Sequence, residues 1–369
     1  MTVFCRVATG LLAGIAVGLQ SHSGLAAESK HPSGGYLPIR STASRGISDL
    51  VLIYQGGTHR LPWTPGQLAP YVSYRFPDAQ KESWLFDGFL FIEFIDGRGH
   101  QYANGYKKLP ARKEDWLWLL DRNFEKGLAL DALEQTVAAT ADRIGLPTQR
   151  RQVVLALPEP ILGQKDWGSL EGRALDFNAE ADRVAACTWQ IESAMERWRT
   201  FAPKHLELAG FYWIAETAGS ARELLPRVKA AIHAQDRKFF WIPYWNASGA
   251  KDWQKLGFDA AYQQPNHFFH PEVPDNRLEA ACAFARTNGL GLEFECDARA
   301  AKSPEIFRPR LQAYLQAFDR NGVRTNSAVA YYEGGGALLQ MAQSTEPQVR
   351  ALYDQVARWV ISRQLQPKE

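Results

Sequence analysis

Cysteine is scarce in this chain, with 4 in 369 residues, so its pairing does not define the fold. Cys5 falls in an N-terminal stretch set apart below, and Cys187, Cys282 and Cys296 remain, an odd number for an exported protein. Cys282 on a helix and Cys296 on the following strand are close enough in sequence for a bridge, with separate buried thiols as the alternative. An excess of either charge is also missing: 42 Lys and Arg against 40 Asp and Glu give a net charge of +2. The basic residues are dispersed, so the footprint of a nucleic-acid binder is absent. No HxH pair follows the first strand, where a barrel metal site would begin, and His267 with His270 is the one close histidine pair. Gly56 and Gly57 do not make the glycine-rich phosphate turn of a dinucleotide-binding sheet. Beyond the N-terminus no window is long and apolar enough to cross a membrane.

At the N-terminus, Arg6 precedes the apolar run VATGLLAGIAVGL and then SHSGLAA before Glu28. A basic start, an apolar stretch too short to span a bilayer comfortably and small residues behind it describe a secretory signal. Cleavage is expected after Ala27, with a retained anchor as the alternative, so residues 1–27 are read as a signal peptide. The mature protein is then secreted or periplasmic, with no stable membrane insertion. Residues 28–47, rich in Ser, Gly and Pro, read as a linker or ordered lead-in, and 48–365 as one domain.

Apolar runs of strand type then recur, separated by helical stretches. They are DLVLIYQGG from Asp49, WLFDGFLFIEF from Trp84, RQVVLALPEP from Arg151, LAGFYWIAE from Leu208, KFFWIPYWN from Lys238, GFDAAYQQPNHF from Gly257, GLGLEFECD from Gly289 and SAVAYYEGGG from Ser327. Helices are expected in ARKEDWLWLLDRNFEK, in ALDALEQTVAATADRIG and from about Asp176 to Arg199. Another opens with Ser303-Pro304-Glu305 as cap, first-turn proline and early acid, and closes at Asn321-Gly322. The segment after the first strand, with Pro62, Pro65, Pro70 and Pro77, reads as loop, and the helix near DWQKL as very short. Strands alternating with helices predict a parallel sheet, and eight of them predict a closed (β/α)8 TIM barrel, with an open doubly wound sheet as the alternative.

A barrel of this kind carries its chemistry at the C-terminal ends of the strands, and here those ends are acidic: Glu93, Glu159, Glu216, Glu293 and Glu295, and Glu333. Any one of them could instead cap a helix or pair with an arginine. Alternation puts Gly291, Glu293 and Glu295 on one face of the seventh strand, with the two carboxylates roughly 6.6 Å apart along it. Gly210, Tyr212, Ile214 and Glu216 share the presumed inner face of the fourth. Aromatic and amide groups surround them: Trp245 and Asn246 at the fifth strand end, Gln264, Asn266 and His267 at the sixth, and Tyr331 at the eighth. Rings to stack on and amides to bond hydroxyls suit a sugar; twelve tryptophans fit too, although most belong to a core.

The succession DLVLIYQGG, FDGFLFIEF, GFYWIAE, WIPYWNASG, GFDAAYQQPNHFF and LEFECD resembles the bacterial domain-of-unknown-function family numbered 4855, over about residues 48–340. That resemblance supports the fold and the site and carries no activity. The chain is more weakly similar to clan A glycoside hydrolases, which place a catalytic acid/base glutamate at the end of strand four and a nucleophilic glutamate at strand seven. The similarity implies the first role for Glu216 and the second for Glu295 or Glu293. It departs from the pattern at Ala215, where those enzymes usually have Asn, and in the doubled acid of strand seven.

The expected function is hydrolysis of a polysaccharide or oligosaccharide, with Glu216, Glu295 and Glu293 as catalytic candidates. Glu93, Tyr212, Trp245, Asn246, Gln264, Asn266, His267, Tyr331 and Glu333 are the substrate-binding candidates. The expected partner is a carbohydrate, with no nucleic acid and no cofactor. A non-catalytic glycan-binding barrel is the alternative. A metal-dependent hydrolase using Glu293, Glu295 and Asp297 is a third reading, and Gly334-Gly335-Gly336 is compatible with a phosphate turn as well as a plain one.

Overall fold

A computed structural model describes residues 35–77 and 81–364; the expected signal peptide lies outside them. Eight parallel strands close on themselves: β1 (Asp49–Tyr54), β2 (Gly88–Ile92), β3 (Arg151–Leu157), β4 (Leu206–Trp213), β5 (Lys238–Trp241), β6 (Ala260–Gln263), β7 (Gly291–Glu295) and β8 (Val329–Tyr332). Pairing of Asp49 with Val329 and Val51 with Tyr331 joins the last strand to the first and rules out the open sheet. The fold is the (β/α)8 barrel expected from the alternation of strands and helices.

The strands are apolar on both faces because each is covered twice. Leu50, Leu52, Leu90, Val154, Phe240, Ala260 and Ala330 fill the barrel. Val51, Ile53, Phe89, Leu155, Phe211, Trp213, Leu292, Phe294 and Tyr331 pack against the surrounding helices. The described part of the lead-in closes the floor: Leu37 bonds Leu290 and Ala328 through its backbone, and Leu37 and Ile47 join the interior cluster.

The helices Lys113–Asn123, Ala129–Ile144 and Glu180–Phe201 match expectation. So does Pro304–Arg320, where Ser303 stands at the cap position without a capping hydrogen bond from its side chain. The proline-rich segment after β1 is not simply loop. It holds the helix Pro65–Val72, with Pro65 in the first turn, where a missing N–H is harmless, and Pro70 inside. Cys187, Cys282 and Cys296 are separate buried thiols, so the possible bridge does not form. Among the described residues no helix is long and apolar enough to cross a membrane.

One irregularity sets the site. The pairing of β4 with β3 slips between Leu208 and Gly210, a bulge that reverses which parity faces inward. Leu206 and Leu208 pack outward, yet beyond the slip Phe211 and Trp213 are the outward residues and Tyr212 and Ile214 the inward ones. Gly210 is required there: a Cβ would lie 1.9 Å from the Lys238 carbonyl oxygen.

Candidate functional site

At the C-terminal end of the barrel a cleft of ≈ 260 Å³ is lined by Tyr54, Arg60, Phe94, Ile95, Tyr106, Glu216, Gln264, Phe269 and Tyr332. The rings interlock: Phe94 stacks on Tyr106 at 4.3 Å, and Tyr332 meets Tyr54 and Phe269 edge-on at 5.6 and 5.1 Å. Such a wall is apolar on its faces and polar at its hydroxyls.

Glu216, three residues past the end of β4, is the carboxyl of this wall. The Tyr106 hydroxyl donates to its Oε2 at 3.4 Å. Burial pushes its carboxyl up to about 7, with the Glu295 charge adding and the Tyr106 and Gln264 hydrogen bonds opposing. Burial thus favours the protonated form of Glu216 toward neutral pH, the state a proton donor needs.

Glu293 and Glu295 both occupy inward positions of β7, as alternation predicts, and their environments differ. Glu295 Oε1 accepts the Asn266 N–H at 3.1 Å, and Oε2 accepts the His267 and Phe268 N–H groups at 3.0 and 3.5 Å and the Tyr314 hydroxyl. Four donors pin that carboxylate to the loop after β6. Glu293 Oε2 is buried with no hydrogen-bond partner. Burial, then the neighbouring Glu295 and Glu216 charges, hold the Glu293 carboxyl well above the usual carboxylate range.

The remaining strand-end acids are structural. Glu93 points behind β2, where Arg60 donates to its two oxygens from Nε at 2.7 Å and Nη2 at 3.0 Å. It reaches the cleft only by aiming Arg60, whose guanidinium lies 4.5 Å over the Tyr54 ring. Glu333 accepts from the Gly336 and Leu338 N–H groups at 2.6 and 3.0 Å and from the Tyr71 hydroxyl at 3.0 Å. It caps the helix Ala337–Gln343, so the glycine run before that helix is a turn whose anion is the protein's own. Glu159 is buried and accepts the Asn104 N–H at 2.9 Å.

Of the expected binding residues, Gln264 lines the cleft and Tyr212 lies buried on the inner face of β4, within the electrostatic reach of Glu216 and Glu293. The others stand elsewhere. Trp245 packs on Phe284 and under the Arg277 guanidinium, and Asn246 is exposed. The Asn266 side chain holds the Trp245 N–H at 2.7 Å. His267 is fully buried against Asp275 at 2.9 Å, and burial lowers its pKa to about 4. Tyr331 faces the helices and donates to Asp49 at 2.6 Å; its neighbour Tyr332 takes the cleft position. The metal reading also loses its ligands, since the Glu295 oxygens are filled by donors and Asp297 pairs with Arg299. The described residues with metal-ligand spacing are Asp96, His100 and Asp115, already bonded among themselves and to Arg98.

Tyr54, Arg60, Phe94, Tyr106, Phe269 and Tyr332 escaped the sequence reading. Tyr54 and Tyr332 had a signal, the inward parity of β1 and β8, whereas Arg60, Tyr106 and Phe269 sit on loops without periodicity.

These environments make stability depend on pH. Burial raises Asp87 to about 6 and both Glu216 and Glu333 to about 7, from 3.8 and 4.5. The folded protein thus binds more protons than the unfolded chain across that window, so stability falls as pH rises through it. His267, lowered from 6.5 to about 4, acts in the opposite direction, and three acids outweigh it. The thermal midpoint is expected to be lower at about pH 8 than at about pH 5. Circular dichroism melts at both values test this, and a midpoint that rises with pH contradicts it.

A search of curated proteins finds no match. Solved structures to which the chain is similar include a family 18 chitinase from Crocus vernus, at 10% identity and TM-score 0.41 over 85% of this chain and 99% of that one. The catalytic domain of a family GH18 chitinase from the fern Peteris ryukyuensis shows 11% identity and TM-score 0.42 over 85% and 99%. A mutant tryptophan synthase α-subunit from Pyrococcus furiosus shows 9% and 0.38 over 85% and 98%. The sequence itself matches, over residues 49–358, the family described as a domain of unknown function, DUF4855, and the chain belongs to that family.

Proposed function

We propose that this barrel is a glycoside hydrolase acting outside the cytoplasm, after removal of residues 1–27. The observation that carries the reading is the Glu216 carboxyl, under the Tyr106 hydroxyl, in the wall of an aromatic cleft past the end of β4, where burial raises it toward neutral. Cleaving a glycosidic bond requires one carboxyl group to protonate the departing oxygen and a second to act as nucleophile or to activate water. Glu216 supplies the proton. The second role falls to the pair on β7: Glu293 has the oxygen without a partner, and Glu295 has four donors that favour its ionised form. The rings give a sugar its stacking surface, and Gln264 offers its amide to the hydroxyls.

The test is a panel of polysaccharides incubated with the purified protein and followed by proton NMR. New anomeric signals are expected from at least one glycan, and the first anomer to appear reports the stereochemistry. Oligosaccharide binding by calorimetry with no new reducing ends would make the protein a glycan-binding barrel instead.

A further inference from the structure

The charge around the cleft is lopsided. Glu216 stands in its wall, Glu293 and Glu295 lie beneath it, and among the described residues lining it Arg60 is the cation. That cation is committed, with Nε and Nη2 on the buried Glu93 carboxylate and its plane on Tyr54. Lys107 and Lys108, beside Tyr106, are exposed and are not part of the lining. A uronate or a sulfate entering here would meet the Glu216 carboxyl, with Glu293 and Glu295 buried within its electrostatic reach, and a lining cation that is already paired.

An ammonium group would meet the opposite. Glu293 Oε2 is buried without a donor, an arrangement that costs free energy until something supplies one. An ammonium carries three N–H donors and the complementary charge. Tyr54 and Tyr332, which line the cleft, lie within the electrostatic reach of Glu293, and ring faces attract cations.

We propose that the cleft recognises a glycan whose bound residue is an amino sugar with a free ammonium group, seated against Glu293 and Glu216 and between the aromatic rings. The proposal rests on reading the cleft as a glycan site. When the ammonium enters, a carboxyl that is neutral in the empty cleft ionises and its proton goes to solvent, so charge balances without a co-reactant. The N-acetylated form of the same sugar brings an amide N–H and no charge, and forfeits this gain.

The test is calorimetry near neutral pH on the full protein, with oligomers of glucosamine and galactosamine, their N-acetylated counterparts, an oligogalacturonate, and choline. At least one free-amine oligomer is expected to bind about tenfold more tightly than its N-acetylated form, with no heat from oligogalacturonate. N-acetylated or acidic oligomers binding as tightly as the amines would overturn the proposal. So would choline binding while neither amine oligomer binds, because the ligand would then be a simple quaternary ammonium. Replacing Glu293 by Gln should shrink the preference, and the wild-type panel decides the matter even if that variant does not fold. Cleavage of N-acetylated oligomers without an amine preference would end this proposal and leave the hydrolase reading intact. Preferential amine binding without cleavage would do the reverse.

Discussion

Replacing Glu216 by Gln is expected to lower kcat/KM on a cleaved glycan by about 10²- to 10⁴-fold, the usual worth of a general acid, with an unchanged circular dichroism spectrum. Gln keeps the size of the side chain and its contact with the Tyr106 hydroxyl, so the loss reports the proton and not the packing. Two signatures separate that role from mere positioning. An aryl glycoside whose leaving group needs no protonation should recover most of the lost rate. The wild-type rate should fall as pH rises through about 7, where burial has placed the Glu216 carboxyl, because the proton donor is then consumed. Equal losses on both kinds of substrate, or full activity in the variant, would remove Glu216 from the chemistry.

Replacing Arg363 by Met is expected to destabilise the protein by about 3–5 kcal/mol, the cost of breaking a buried ion pair from one side. Arg363 is fully buried on the helix Pro347–Gln364. Its Nε meets Asp49 at 2.7 Å, Nη1 donates to the Val323 and Arg324 carbonyls, and Nη2 donates to Ser48 and Ser327 at 3.1 and 2.7 Å. It therefore fastens the last helix to the seam where β1 meets β8. Losing it strands a buried carboxylate and four carbonyl oxygens together. Urea unfolding of the wild type and the variant measures the difference. Changing Asp49 to Asn as well should return part of it, since no charge is then left unpaired. A loss below about 1 kcal/mol would place the pair among those that contribute little.

Much of this molecule was legible in advance, for reasons that differ from element to element. The strands announced themselves as apolar runs because a doubly covered sheet has no polar face to interrupt them. Glu293 was legible as inward because Leu292 and Phe294 could only face helices. Glu333 and Glu93 took the alternative left open for every strand-end acid: those that cap a helix or pair with an arginine have the same local sequence as those that face a substrate. Tyr331 was chosen over Tyr332 because the parity of a short strand depends on its partner's register, which places Tyr331 beside the outward Phe294. Trp245 and Asn246 lie outside the cleft lining because the chain leaves β5 for an irregular loop in which alternation no longer applies.

The order of apolar runs and helices by itself determined the barrel, since eight such units bury their surface by closing. It also determined that the strand ends would be rich in carboxyl groups. Only the tertiary structure decided which of those groups reach the cleft. The slip at Leu208–Gly210 put Tyr212 and Ile214 on the inner face, and Gly210 leaves room for the Lys238 backbone 28 residues away. The backbone N–H groups of residues 266–268 and the Tyr314 hydroxyl fixed the Glu295 carboxyl, and Arg60 paired with Glu93. In each case a partner distant in the chain satisfies or abandons a buried polar group, and such partnerships exist only after the barrel has closed.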